Sequence, residues 1–493
     1  MKIFVLSLSL LLGAYASAQQ RPTGMIFDPP SLRTIPYKAK LTTDSYQAMP
    51  ASASLEKYCP TPGDQGQYGT CVAFATAYHL RTILYNKLQS EMAHGSMANI
   101  NTNAAIFSPT FVYEQIKNQS DNNCQEGANP VDAFILMKKF GAAKISTVPY
   151  SCGASIRPNA KQEGLNFRIT DYQILYSVDE TDADLKIKAT KKAISEGYPC
   201  ALGFIVPESF YNPRGPVWRE ASTDNGPTGQ HGRHAMCVVG YDDNKYGGAF
   251  RVLNSWGTNW ADKGFVWIPY AAFARYSMMV IQAYGPAAPK PQPGPAKPDV
   301  PVLDVLLKGR VAFQMNTGET MSAVKVAGSS LDAGNKSTTG EELVAYKMDK
   351  AYASGTRFRF MITTSTECFL YAFATDLSGK VNKILPFADN MSPHIGSNST
   401  VAFPSETKVV KMDENPGTDY LLILYAQQRL NADELLSTLN SLSGGLTQKI
   451  KKALGDQLIS PASINYHPND IGFDLKKGHQ GTVVPLMVEI KHQ

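Results

Sequence analysis

The chain has 493 residues, 43% of them hydrophobic and 18% charged, with a formal net charge of +5. That length accommodates two or three domains of roughly 100–200 residues each, and the balance is globular, with ample material for buried cores. The basic residues are dispersed, which excludes the basic stripe expected of a nucleic-acid partner.

Residues 1–18 read as a secretory signal. Lys2 gives the positive start, Ile3 to Leu12 an apolar run broken only by serines, and Ala16-Ser17-Ala18 a small-x-small cleavage pattern. The run is shorter than the ~20 residues a membrane span requires, and no other segment qualifies. The expectation is an exported chain, periplasmic or extracellular, starting at Gln19 and without a membrane span. Export permits disulfides. The seven cysteines are Cys59, Cys71, Cys124, Cys152, Cys200, Cys237 and Cys368, and an odd count leaves at least one thiol free unless it pairs with another molecule. Cys200 and Cys237 lie in apolar, strand-like runs and read as small buried hydrophobes.

Residues 19–48 are polar and rich in Pro and Thr, an extended lead-in or short pro-segment. A compact domain is expected over 49–284. Gly285 to Pro301 has seven prolines in 17 residues, a linker in extended polyproline II spanning up to about 50 Å. Residues 302–493 form a further region. Within the first domain Cys71 opens a helical pattern, with Ala73, Ala77, Leu80 and Leu84 on one stripe and Thr70 as N-cap. Tyr113, Ile116 and Val131 to Phe140 suggest more helices. Cys200 to Val206, His234 to Tyr241, Phe250 to Asn254 and Phe265 to Ile268 then read as strands between Gly- and Asp-rich turns. The helical half carries Cys71 and the β half His234, so a cleft between the halves is where the two meet.

A cysteine attacks carbonyls as thiolate, and a helix N-terminus and a neighbouring imidazolium both lower its pKa. Cys71 has the first by position, and His234 supplies the second and returns a proton to the leaving amine. His231 competes for the base role, but it sits among Gly226, Gly229 and Gly232 in a loop, whereas His234 begins a run entering the core. Asn254 ends the next strand and can orient the imidazole, with Trp256 covering that hydrogen bond. The side-chain amide of Gln65 and the backbone N–H of Cys71 are candidate oxyanion donors.

These motifs resemble the papain-like cysteine peptidases in order and spacing: Gln65-x5-Cys71 with Ala73-Phe74, His234-Ala235 leading to Val239-Gly240-Tyr241, and Asn254-Ser255-Trp256-Gly257-x-x-Trp260-x-x-x-Gly264-Phe265. Met49-Pro50 is similar to the start of the mature core and Val148-Pro149-Tyr150 to a mid-domain turn. The resemblance covers about residues 49–284. It implies an α+β fold of two lobes, one helical and one β-barrel-like, with Cys71 the nucleophile, His234 the acid/base, Asn254 the orienter and Gln65 in the oxyanion hole. Cys124-Gln125-Glu126-Gly127 is similar to the family's Cys-x-Gly-Gly loop, which gives Gly127 the role of pairing with the substrate backbone. Arg233 then stands on the wall of the specificity pocket with Gly203 on the facing strand, a basic group suited to an acidic substrate side chain. The resemblance implies no cofactor and no metal.

Three departures stand out. Tyr68 replaces the usual cysteine three residues before the nucleophile, and Val72 the usual tryptophan after it. Cys124 therefore lacks its customary partner, with Cys152 and Cys59 both candidates. The family's long helical inhibitory pro-region is missing, so latency, if present, must work differently.

In the C-terminal region Arg357 to Thr364 and Cys368 to Thr375 alternate like paired strands, with a hairpin-like turn at Asp376 to Gly379 and a strand from Val381 to Pro386. Phe369-Leu370-Tyr371-Ala372-Phe373, Asp376, Gly379 and Leu385-Pro386 resemble a bacterial accessory domain of unknown function, which implies a mainly β, sandwich-like module. Asn431 to Leu454 reads as one or two amphipathic helices broken at Gly444-Gly445. The expected activity is that of an exported cysteine endopeptidase acting on polypeptides through a thioester. The alternatives are a thiol amidase, exopeptidase or transpeptidase, or a secreted binding protein on a retired scaffold. A protein or cell-surface partner would engage the C-terminal domain.

Overall fold

The structure is a computed structural model and describes residues 21–93, 101–176, 178–286, 306–328, 342–376 and 380–493. The segment read as a signal (1–18), most of the expected linker and the tip of the turn at 377–379 lie outside the described residues.

The helical half is built on one long helix. It starts at Cys71, passes through π-helical turns over Phe74–Arg81 and continues as Thr82–Met92. The sequence pattern predicts an apolar stripe, but nearly every residue from Cys71 to Leu84 is buried, Thr76, His79 and Arg81 included. The helix is central because Pro109–Ile116 and Pro130–Lys139 pack on its lobe side while Gly232–Asp242 packs on the other. The two outer helices begin alike, with Pro in the first turn and a capping Ser108 or Asn129 accepting a backbone N–H.

The β half is a seven-stranded sheet among the described residues. The order is Ile169–Ile174, Ser277–Pro286, Cys200–Val206, Gly232–Asp242, Ala249–Leu253 and Phe265–Pro269, with Ser52–Ser54 added on Gly232–Asp242. Its two end strands do not pair with each other, so the expected barrel-like lobe is an open sheet. Gly232–Asp242 sits near its centre and is buried almost throughout, as expected of a strand covered on both faces.

The C-terminal domain is mainly β. Among the described residues it has two seven-stranded sheets enclosing one core. Arg357–Thr364 and Cys368–Thr375 are not partners: the first pairs with Lys308–Met315 and Ser399–Phe403, the second with Gly417–Ala426 and Asn382–Leu385. The short link between them crosses from one sheet to the other. Cys368–Thr375 is apolar on both faces for a visible reason. Leu370 and Ala372 face the inter-sheet core, whereas Phe369, Tyr371 and Phe373 face the helices Ala432–Ser441 and Leu446–Leu454 on the outside.

Residues 21–48 are not a free lead-in. They carry short helices at Pro29–Leu32 and Thr43–Gln47. Met25, Leu32 and Ile35 lie in the core of the first domain, and Ala39 and Leu41 in that of the C-terminal domain. Among the described residues no helix is long and apolar enough to cross a membrane.

Candidate active site

Cys71 stands at the first turn of the central helix and is fully buried. Thr70 does not cap that helix. Its hydroxyl instead shares a hydrogen bond of 2.8 Å with Tyr150, whose hydroxyl donates to the carbonyl of Gln65 at 2.9 Å. The helix entry and the Gln65 loop are thereby held together by Tyr150.

His234 lies in the central strand Gly232–Asp242, and Asn254 directly follows the adjacent Ala249–Leu253. Asn254 Oδ1 is 2.7 Å from His234 Nε2 and also accepts the N–H of Ser255 at 2.8 Å. Trp256 stacks on the imidazole, with ring centroids 4.6 Å apart and planes at 28°. Sequence reasoning placed these three side chains together, and the fold does too. His231 stays in its loop, with Nε2 2.8 Å from the carbonyl of Gly226.

Gln65 is fully buried. Its backbone N–H donates to Ser255 O at 2.9 Å, and its Oε1 accepts from Ser255 Oγ at 2.6 Å. Ser255, which the sequence reading passed over, thus ties the Gln65 loop of one lobe to the Asn254 turn of the other. With Oε1 occupied by a donor, Nε2 is forced outward, where it donates to Tyr68 O at 2.8 Å and Pro22 O at 3.1 Å.

Pro22 belongs to the N-terminal segment, and that segment fills the cleft. The N–H of Gly24 donates to Cys71 Sγ at 3.3 Å. Met25 donates to the carbonyl of Arg233 at 3.1 Å, Ile26 to that of Ala128 at 3.0 Å, and Ala128 donates back to Gly24 O at 2.9 Å. The backbone pairing expected of Gly127 therefore falls on Ala128. The cause is Tyr113, whose hydroxyl accepts the Gly127 N–H at 3.2 Å and lies 3.4 Å from its carbonyl. Gly127 has φ +82°, and a Cβ there would overlap the carbonyl of Gly24, so glycine is required for the close approach.

The side chain of Met25 is 5% exposed. A Cβ on Gly203 would stand 2.8 Å from Met25 Sδ and 3.0 Å from Met279, so the missing side chain at 203 makes the space that methionine occupies. Arg233 places its guanidinium over the Phe27 ring, 5.7 Å from the centroid. It lines a cavity of about 610 Å³ with Thr23, Glu126 and His231.

Burial controls the electrostatics. It pushes the Cys71 thiol up to about 11, against the lowering effect of nearby backbone N–H groups, those of Ala235 and Gly24 first. Burial likewise takes His234 down to about 4, against the Asn254 hydrogen bond that raises it. The helix start was expected to favour a thiolate, but desolvation under the N-terminal segment outweighs it. His234 Nδ1 has no hydrogen-bond partner. Burial thus opposes both charged forms, the thiolate and the imidazolium.

Cys124 is bonded to Cys152, with Cα atoms 6.0 Å apart, and Cys59 is a buried free thiol. Glu114 lies beside that disulfide, but sulfurs joined to each other offer a metal no thiolate.

Residues 53–283 match the family model of the papain family cysteine proteases. That part of the chain is a papain-family cysteine protease domain. Residues 351–429 match a domain of unknown function, DUF4384. The chain is 25% identical over 253 residues to an uncharacterized peptidase C1-like protein of Acanthamoeba polyphaga mimivirus, which covers 49% of this chain and 76% of that protein. It is 25% identical over 203 residues to a cathepsin L-like proteinase of Fasciola hepatica, covering 41% of this chain and 54% of that protein. Among solved structures it is similar to xylellain, a cysteine protease from Xylella fastidiosa. The identity is 22% and the TM-score 0.43, over 54% of this chain and 97% of that one.

Proposed function

We propose that this papain-family hydrolase is an exported cysteine endopeptidase, described here in a latent form that its own residues 21–27 hold closed. One observation carries the reading. A peptide backbone already lies across the site, with a carbonyl (Pro22) on the Gln65 amide and an amide (Gly24) on the Cys71 sulfur. The atom presented to the sulfur is an N–H and not a carbonyl carbon, so the segment acts as an inhibitor, not a substrate.

With the segment displaced, water reaches Cys71 and His234, the desolvation that separates their pKa values falls, and the proton passes from sulfur to imidazole. Thiolate attack then forms a C–S bond, and the carbonyl oxygen becomes an oxyanion held by the Gln65 amide and the Cys71 N–H. His234 gives its proton to the departing amine, the C–N bond breaks, and a thioester remains. His234 next takes a proton from water, whose oxygen attacks the thioester and releases the acid and the thiol. Asn254 holds the ring for both transfers, and Trp256 shields that hydrogen bond. Gly203 and Met279 bound an apolar pocket for an unbranched side chain such as that of Met25, and the Arg233 carbonyl takes a substrate N–H. The Cys124–Cys152 disulfide supports an exported location.

The test uses Gly24→Val. A Cβ at residue 24 would overlap the backbone of Gly69, so this substitution expels the segment without touching the site. The variant should cut a long unmodified polypeptide at internal positions, and Gly24→Val/Cys71→Ala should not. Cleavage confined to the ends of short tagged peptides would replace the reading with an exopeptidase, and an inert Gly24→Val would leave a retired scaffold.

A further inference from the structure

We propose that the C-terminal domain is the anchor that keeps the protease closed: it grips residues 37–46 and so holds residues 21–27 in the cleft. This rests on the reading that residues 21–27 inhibit the enzyme, and it gives the C-terminal domain a task in that inhibition.

The grip is made of backbone, core and charge together. Tyr37 donates its N–H to Asn390 O at 2.8 Å and accepts from Ser392 N at 2.9 Å, while its neighbours pair with Ile174 of the protease sheet through Ile174 N to Pro36 O (3.0 Å) and Lys38 N to Ile174 O (2.8 Å). A single residue thus splices the two domains. Further on, Ala39 and Leu41, each 2% exposed, are members of the C-terminal core. Thr42 donates to Thr400 O at 2.9 Å, Ser45 Oγ accepts from Thr400 N at 2.9 Å, and Thr43 donates to both oxygens of Glu406, at 2.8 and 3.0 Å. Beside the splice, Lys38 pairs with buried Glu196 at 3.1 Å, and Lys192 joins Glu196 to the carbonyls of Ser397 and Asn398. A strap built into two cores cannot lift from the cleft as a free tail does.

The size of the effect follows from the tether. With residue 37 fixed, about 10 residues separate the plug from its anchor; if loss of the grip also frees Pro36 and Lys38 from Ile174, the next hold on the protease sheet is Ser52–Ser54, about 25 residues from the plug. A −3/2 power of length then lowers the plug's effective concentration about fourfold, and loss of the rigid splice adds to that.

The experiment measures the labelling rate of Cys71 by a thiol-directed epoxide in four full-length chains: wild type, Gly24→Val, Leu41→Glu and Glu406→Ala. Leu41→Glu puts a charge into the C-terminal core. Glu406→Ala removes two hydrogen bonds at the surface and covers the case in which Leu41→Glu does not fold. The proposal expects Gly24→Val fastest, Leu41→Glu about fourfold or more above wild type, and Glu406→Ala between Leu41→Glu and wild type. A fast Gly24→Val with both other variants at the wild-type rate overturns the anchor and leaves the plug standing. Gly24→Val at the wild-type rate overturns the plug and the anchor with it.

Discussion

Cys71, His234 and Gln65 are the residues through which occupancy of the cleft becomes chemistry. At a thiol pKa of about 11, only about one Cys71 in 10⁴ is ionised at pH 7, and only the thiolate attacks. The histidine carries a second consequence. An exposed imidazole protonates near 6.5, whereas burial holds His234 near 4 and, helped by His234, His79 near 3. Both folded pKa values are lowered. Between pH 6.5 and 4 the unfolded chain therefore binds protons that the folded chain refuses, and the folded form loses up to about 1.4 kcal/mol per pH unit for each histidine. The Tm of a Cys71→Ser chain should fall from pH 7 to pH 4, and more shallowly when His234→Gln is added; parallel slopes would remove His234 from this account. For Gln65 the geometry predicts a loss in turnover, not in binding. In a Gly24→Val background, Gln65→Ala should lower kcat about 10²–10³-fold with KM little changed, as for a lost oxyanion donor, and steady-state kinetics on one peptide checks this.

At the scale of elements, the site depends on a few pieces of backbone held in register. The loop carrying Gly127 and Ala128 is fixed twice at Cys124, by the Gly69 N–H on Cys124 O (2.7 Å) and by the Cys124–Cys152 disulfide. With the two cysteines 28 positions apart in the sequence, chain-entropy reasoning puts the disulfide's worth near 3–4 kcal/mol. Cys152→Ser should lower the unfolding free energy by about that much in urea titration, and an unchanged midpoint would show that the wall stands without it. Much of this element level was legible in the sequence. Cys71 at a helix start, the His234 strand and the Asn254-Ser255-Trp256-Gly257 turn are local patterns, and each formed where the residues put it. Pairings between distant segments were not legible. Arg357–Thr364 and Cys368–Thr375 both read as strands, but alternation does not say which sheet a strand joins. Residues 21–48 read as a lead-in because their apolar residues are sparse, with no period of their own. Each of Met25, Leu32, Ile35 and Leu41 is buried by a partner supplied elsewhere in the chain.

For the whole molecule, the N-terminal segment makes one closed unit of two domains and a cleft. Arg429 of the C-terminal domain completes the bond by pairing with buried Asp171 of the protease, which Lys138 also holds at 2.7 Å. Burial raises the Asp171 carboxyl, and the two cations outweigh it and keep it below its usual range. The N-terminal segment has residues in the cores of both domains, so displacing it means breaking contacts in both. The most direct measurement of this account is intact-mass analysis of epoxide labelling at pH 7. Gly24→Val should take up one adduct, located on Cys71, much faster than the wild-type chain. Equal rates in the two chains, or an adduct that persists in Gly24→Val/Cys71→Ala, would contradict it.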